Sequence, residues 1–247
     1  MRIKIVLDLN EKKIPINYHS ILQGVIYNSL LTSENVSVVH DYGFKFGKRK
    51  FKLFTFSDIF GDTEYLNESK ELLFKSNGYF EVASYKEELI LSLISFLSQN
   101  KSIVFNKQII KVESFTLLDE TINNEEKQTY QTISPITTYV TDKNRKTTYF
   151  EPNSIEFKES IIQNLSQKFF LLYNENIPNI EITEITDVFK KVIYFRNSFC
   201  IAYMCKITFD KLSPKVKKII LSCGLGAKNS SGFGMMKNAY EKKNISI

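Results

Sequence analysis

The chain is poor in most of the residues that enzymes recruit for metal and nucleophile chemistry. It has two histidines in 247 residues, His19 and His40, and three cysteines, Cys200, Cys205 and Cys223. The cysteines have neither an even count nor a zinc spacing, so they read as small core residues of a reduced, cytoplasmic protein. No HxH, CxxC or paired-carboxylate motif occurs, and His40-Asp41 lacks the further His and Asp ligands that an HD site needs. A protein-bound catalytic metal and a cofactor are therefore not expected. No apolar run approaches the roughly 18 residues of a membrane-spanning helix. The start, Met1 to Leu9, is too short and too charged for a signal peptide and reads as a strand. No segment is of low complexity.

Glycine is also scarce, yet four of the nine glycines fall within eleven residues, Gly224-Leu-Gly-Ala-Lys-Asn-Ser-Ser-Gly-Phe-Gly234. A Walker A loop is excluded because Ala227, not glycine, precedes the lysine. A dinucleotide fingerprint is excluded because this segment leaves a helix instead of opening one. Two readings stay open. The segment is a helix C-cap at Gly224 followed by a tight turn, or it turns backbone N–H groups toward an anion.

Charge favours a polyanion. The net charge is +6 and the basic residues cluster. Lys45, Lys48, Arg49, Lys50 and Lys52 form one group; Lys143, Arg145 and Lys146 a second; Lys215, Lys217 and Lys218 a third. Three clusters with a glycine segment point to nucleic acid. Each cluster alone reads equally well as a solvated face.

Periodicity predicts an α+β chain of two tandem ferredoxin-like β-α-β-β-α-β domains with a C-terminal glycine-rich loop. The first spans 1–122. It has strands at 2–9, 51–56 and 78–85, a fourth strand or a pair of short ones between 103 and 118, and helices at 18–31 and 86–97. A polar linker, 119–127, separates it from the second, 128–247. There the elements are a strand or hairpin arm at 129–140, a long helix within 154–173 and strands at 188–195 and 199–209. A helix opens at Ser213-Pro214, and a last strand lies at 233–237.

Gln23-Gly-Val-Ile-Tyr-Asn28, His40, Lys52-Leu-Phe-Thr-Phe-Ser57, Thr132-Ile-Ser-Pro-Ile and the glycine segment follow one another along essentially the whole chain. This ordered set resembles the endoribonucleases of the RAMP superfamily that process CRISPR precursor RNA. The resemblance implies metal-independent cleavage within each repeat by attack of a 2′-hydroxyl. The products are a 2′,3′-cyclic phosphate (or 3′-phosphate) and a 5′-hydroxyl. The implied partner is CRISPR repeat RNA, with no membrane; an interference complex and a homodimer are left open as further partners.

The resemblance also assigns residues. His40 matches the catalytic histidine, and imidazole titrates near neutral pH. His19 is the fallback and otherwise a helix-end histidine that packs partly. Tyr27 matches a tyrosine that positions the nucleophile. By periodicity it points away from the apolar stripe of its helix, toward solvent, the second domain or RNA. Lys52 matches a lysine that stabilises phosphorane charge; otherwise it is an outward strand lysine. RNA backbone contacts are expected from Lys48, Arg49, Lys50, Lys143, Arg145 and Lys146. Within the glycine segment they are expected from Gly224, Gly226, Lys228, Asn229, Ser230, Ser231, Gly232 and Gly234. Lys143, Arg145 and Lys146 read equally as a solvated hairpin tip.

Two rivals share parts of this pattern. A non-catalytic RAMP subunit would bind guide RNA without cutting it. An RRM-type module would need RNP aromatics on adjacent strands, which the sequence does not show.

Overall fold

The computed structural model describes residues 1–31, 44–46, 49–120, 122, 125–196 and 198–239. It is a mixed α/β structure of antiparallel sheets and, among the described residues, four helices. In the N-terminal half, β1 (Arg2–Leu7) is followed by β2 (Lys13–Pro15), α1 (His19–Leu31), β3 (Phe44–Phe46), β4 (Arg49–Phe51) and β5 (Phe54–Phe56). Then come β6 (Thr63–Leu66), β7 (Glu71–Phe74), β8 (Gly78–Ser84), α2 (Glu87–Asn100), β9 (Ser102–Phe105) and β10 (Gln108–Leu118). The main sheet has the order β5-β8-β1-β10-β9. Alternation in β1 sends Ile3, Ile5 and Leu7 into one core. There they meet Leu22, Val25 and Ile26 of α1 and Leu89, Ile90, Leu93 and Leu97 of α2.

The C-terminal half builds a second sheet. Its elements are β11 (Gln128–Thr132), β12 (Tyr139–Thr141), β13 (Thr147–Tyr149), α3 (Ile155–Tyr173), β14 (Glu181–Phe195), β15 (Ser198–Asp210), α4 (Pro214–Cys223) and β16 (Met236–Asn238). The sheet order is β14-β15-β11-β16. Ser154 and Ser213 cap α3 and α4, each accepting the amide three residues on, from Phe157 and Val216. Tyr130, Ile207 and Phe209 of the sheet pack on Phe157, Ile161 and Leu165 of α3 and on Val216, Ile219 and Ile220 of α4.

Several expected boundaries shift. The strand expected at 51–56 is two, because Leu53 adopts a positive φ of 49° between β4 and β5. The segment 103–118 is indeed a pair, β9 and β10, joined through Asn106 and Lys107, both at positive φ. Residues 129–140 do not form one arm: β11 ends at Thr132 and β12 starts at Tyr139. β14 begins at Glu181, seven residues before the expected Val188, and carries two register shifts on the way. The last strand covers 236–238, not 233–237, since Phe233 and Gly234 still belong to the glycine segment. A small sheet, β2-β7-β6, was not expected at all.

The halves interlock. Phe51, Leu53 and Tyr85 belong to the second core although they precede it in sequence. Ala83 packs with Ile133 and Met235. The Arg2 guanidinium donates to the carbonyls of Leu221 (3.1 Å) and Met236 (2.5 Å). It also pairs with Glu120 at 2.9 Å and Glu81 at 3.5 Å.

Candidate nucleic-acid interface

Tyr27 lies on the third turn of α1, half-buried, with its ring edge-on to Phe54 at 6.0 Å. The break at Leu53 leaves Lys52 half-buried between two short strands. Its ammonium donates to the Tyr27 hydroxyl and lies 4.2 Å from the centre of that ring. Two residues 25 apart in sequence thus form one cationic hydrogen-bonding unit. His40 and Lys48 lie outside the described residues. Arg49 and Lys50 stand in β4, registered against Phe46 and Lys45 of β3.

Beside this unit opens a cleft of about 920 Å³ between the halves. Lys52 and Phe54 form one wall, with Gly226, Lys228 and Ser230 from the glycine segment. The other wall is a stripe of α3, Glu156, Ser160, Asn164 and Lys168, which helical spacing puts on one face. Tyr139 and Val140 of β12 line it as well.

The glycine segment is stitched into the fold. Gly224 caps α4 at φ 70°, its amide on the Ile220 carbonyl at 3.1 Å. A methyl group there would sit 2.6 Å from the Gly234 carbonyl, so a side chain is excluded by contact as well as by φ. The amides of Leu225, Ala227, Gly232 and Gly234 are taken up by the carbonyls of Gly234, Thr137, Asn229 and Pro135. This corrects the anion-nest expectation for Gly224, Gly232 and Gly234: their N–H groups are already bonded, and the glycines serve close backbone approach. Asn229 is likewise committed. Its amide donates to Leu225 and Phe233, and its side-chain oxygen accepts from Lys168 at 2.8 Å. The Ser230 and Ser231 carbonyls accept from Gln23 and meet His19, respectively. Lys228, at the cleft, donates to Cys200 Sγ at 3.0 Å and lies 5.3 Å from the Tyr139 ring centre.

Lys168 escaped the sequence reading. It is 2 % exposed and donates to the carbonyls of Cys223 (3.3 Å) and Gly224 (2.7 Å) and to Asn229. Burial lowers its pKa to about 8, partly opposed by Cys223. A signal existed: Asn164 and Lys168 interrupt the stripe Phe157, Ile161, Leu165, Phe169, where polar residues have no place without partners.

His19 is no open catalyst. It is 3 % exposed; Nε2 contacts Asp58 Oδ1 at 3.0 Å and Nδ1 the Ser231 carbonyl at 3.3 Å. Asp58 also pairs with Lys191 of β14 at 3.0 Å. Burial would raise the Asp58 pKa, but the hydrogen bonds and charges of His19 and Lys191 outweigh it and the carboxyl titrates below its ordinary value.

The remaining basic groups divide. Lys143, Arg145 and Lys146 sit at the exposed turn between β12 and β13, where Asp142 Oδ1 accepts the Lys146 amide at 2.8 Å. The third cluster is not a free cationic face, contrary to expectation. Lys217 is 1 % exposed and donates to the Glu125 carbonyl, and Lys215 pairs with Glu175 at 3.0 Å. Among the described residues no three His, Cys, Asp or Glu side chains converge, and no helix is long and apolar enough to cross a membrane.

Comparison with known proteins agrees with this geometry. Residues 118–238 match the family model for the C-terminal part of the CRISPR associated protein Cas6. The chain is 28% identical to "CRISPR-associated endoribonuclease Cas6 1" of Methanocaldococcus jannaschii, covering 98% of this chain and 94% of that one. It is 26% identical to "CRISPR-associated endoribonuclease Cas6" of Pyrococcus furiosus, over 91% of this chain and 83% of that one. A solved structure of a "CRISPR associated protein Cas6" superposes with a TM-score of 0.77 at 26% identity, covering 96% and 98% of the two chains. The fold also matches a Cas6-related protein from Pyrococcus furiosus, with a TM-score of 0.83 at 18% identity over 98% and 99%.

Proposed function

We propose that the chain is an endoribonuclease of the Cas6 kind, as its similarity to Cas6 proteins along nearly its whole length supports, and that it processes CRISPR precursor RNA. The cut falls within each repeat, needs no metal, and uses the RNA's own 2′-hydroxyl. The 2′-oxygen forms a bond to phosphorus as the bond from phosphorus to the 5′-oxygen breaks. The 2′-proton is lost and the leaving oxygen gains one. The products are a 2′,3′-cyclic phosphate, or the 3′-phosphate, and a 5′-hydroxyl.

The observation that carries this reading is the Lys52–Tyr27 pair at the cleft, with Lys228 on the same wall. Lys52 supplies positive charge where the phosphorane gains negative charge. Tyr27 orients the attacking hydroxyl; its ordinary pKa of about 10 makes it a poor base. His40 moves the proton at the reacting oxygens. Lys48, Arg49, Lys50, the Lys143–Arg145–Lys146 tip and, from the glycine segment, Lys228 and Ser230 hold the strand. We read the two halves, 1–122 and 128–247, as tandem ferredoxin-like domains. With β9 and the short strands set aside, the sheet orders β5-β8-β1-β10 and β14-β15-β11-β16 correspond, which supports this. Three buried free thiols suit a reducing cytoplasm. Transfer of the product RNA to an interference complex and pairing of two copies are further expectations, open to co-purification and sedimentation.

The test is cleavage of the cognate repeat RNA in EDTA. Wild type should cut. His40→Ala, and wild type on RNA with a 2′-deoxy nucleotide at the cut site, should not. Lys52→Ala should lose about 10²- to 10³-fold in kcat, the magnitude of one lost charge-stabilising donor. Tight binding without cleavage by wild type would instead make the chain a guide-RNA-binding subunit.

A further inference from the structure

The cleft holds two buried polar atoms that no protein group meets. Thr138 is 2 % exposed and Asn164 is 9 % exposed, and both line the cleft. Thr138 Oγ1 and Asn164 Oδ1 have no hydrogen-bond partner among the described residues. Folded proteins leave few such atoms, because each has lost water and gained nothing in return. Leucine at 164 and valine at 138 would suit an empty fold better. Two orphans in one cleft point to a group from outside.

The surroundings say what kind of group. Glu156 and Glu159, both exposed, line the same wall one to two turns before Asn164. Carboxylates repel a phosphate, so the anionic backbone belongs on the opposite wall with Lys52 and Lys228. A neutral base edge, carrying an exocyclic amine, suits the α3 wall. Tyr139, Phe51 and Phe150, all half-buried, also line the cleft and offer faces for stacking. Its volume of about 920 Å³ has room for a nucleotide.

The side-chain amide of asparagine presents one acceptor beside one donor. That pattern fits adenine, whose N6 amine donates and whose N7 accepts. Turning the amide over leaves the same pair available. We propose that Asn164, assisted by the Thr138 hydroxyl, is a specificity-determining residue that reads one adenine of the repeat RNA next to the Lys52–Tyr27 pair. This rests on the RNA-processing reading above.

The test replaces each adenosine of the repeat, one at a time, by purine riboside, which lacks the N6 amine. Dissociation constants are measured for wild type, Asn164→Leu, Asn164→Asp and Thr138→Val, with thermal unfolding of each protein. At one position the replacement should weaken wild-type binding about tenfold, within the range for a good base contact. The same replacement should cost Asn164→Leu nothing. On unmodified RNA, Asn164→Leu should bind about tenfold more weakly while melting at or above the wild-type temperature. The isosteric Asn164→Asp keeps the volume if leucine does not fold, and it should weaken binding too. Wild-type affinity and cleavage in all three variants would overturn the subsite and leave the enzyme reading intact. A wild type that cuts the repeat but has no adenosine whose effect vanishes in the Asn164 variants would overturn adenine recognition alone. A wild type that neither binds nor cuts would overturn the RNA reading, and the subsite with it.

Discussion

Lys168 brings a charge into the second core and commits all three of its hydrogens there, to Cys223, Gly224 and Asn229. It ties α3 to the carboxyl end of α4, where unpaired carbonyls concentrate partial negative charge. Its folded pKa of about 8 lies below that of a free lysine, so the unfolded chain binds the extra proton between the two values. The cost of burying the charge is therefore full below pH 8 and fades toward pH 10.5. Wild type should gain about 2 kcal/mol on Lys168→Met between pH 8 and pH 10. Chemical denaturation of both proteins across that range checks it, and a pH-independent difference would contradict it. The residue scale was half legible. Helical periodicity pointed Tyr27 away from the apolar stripe, whereas its ring packs against the first core beside Phe54 and only its hydroxyl meets Lys52. Nothing in local sequence couples position 27 to 52, because the two stand 25 residues apart and meet only in the folded chain.

The β12–β13 hairpin carries its three cations at the tip and its apolar base in the cleft wall. The proposed RNA path through the cleft would bring the strand past this tip. Lys143→Ala, Arg145→Ala and Lys146→Ala combined should lower the slope of log affinity against log salt by about 2, since each phosphate contact on a single strand contributes roughly 0.7. The melting temperature should hold, because the turn is fixed by Asp142, not by the cations. An unchanged salt slope would make the tip a solvated turn. Elements with strong local signals were read directly: the helix opening at Ser213-Pro214 and the long helix within 154–173. The β2-β7-β6 sheet was missed because its strands are three to four residues long and mostly lack alternation. The start of β14 was missed because Glu181 to Asp187 is mostly polar and its register shifts break the alternation of Ile182 and Ile185.

At the scale of the whole molecule, the two halves share packing. Leu53 precedes the linker by more than sixty residues and is 3 % exposed in the second core, where its carbonyl also accepts from Cys223 Sγ. Arg2 fastens β1 to α4 and β16. Unfolding should follow one transition, with far-ultraviolet dichroism and tyrosine fluorescence coincident. Leu53→Ala should lower stability by about 2–5 kcal/mol and keep the curves together. Two separated transitions in wild type would show the halves to be independent.

Local sequence by itself determined the order of helices and strands, since caps, turns and periodicities are properties of a few adjacent residues. It also determined the ordered motifs that mark the family. The tertiary structure decided which groups share the cleft. It set Lys52 against Tyr27, bonded the glycine amides inward, buried Lys168 and Lys217, and left Asn164 Oδ1 and Thr138 Oγ1 without a hydrogen-bond partner among the described residues. These outcomes depend on contacts between residues far apart in the chain, and such contacts leave no trace in local composition or period.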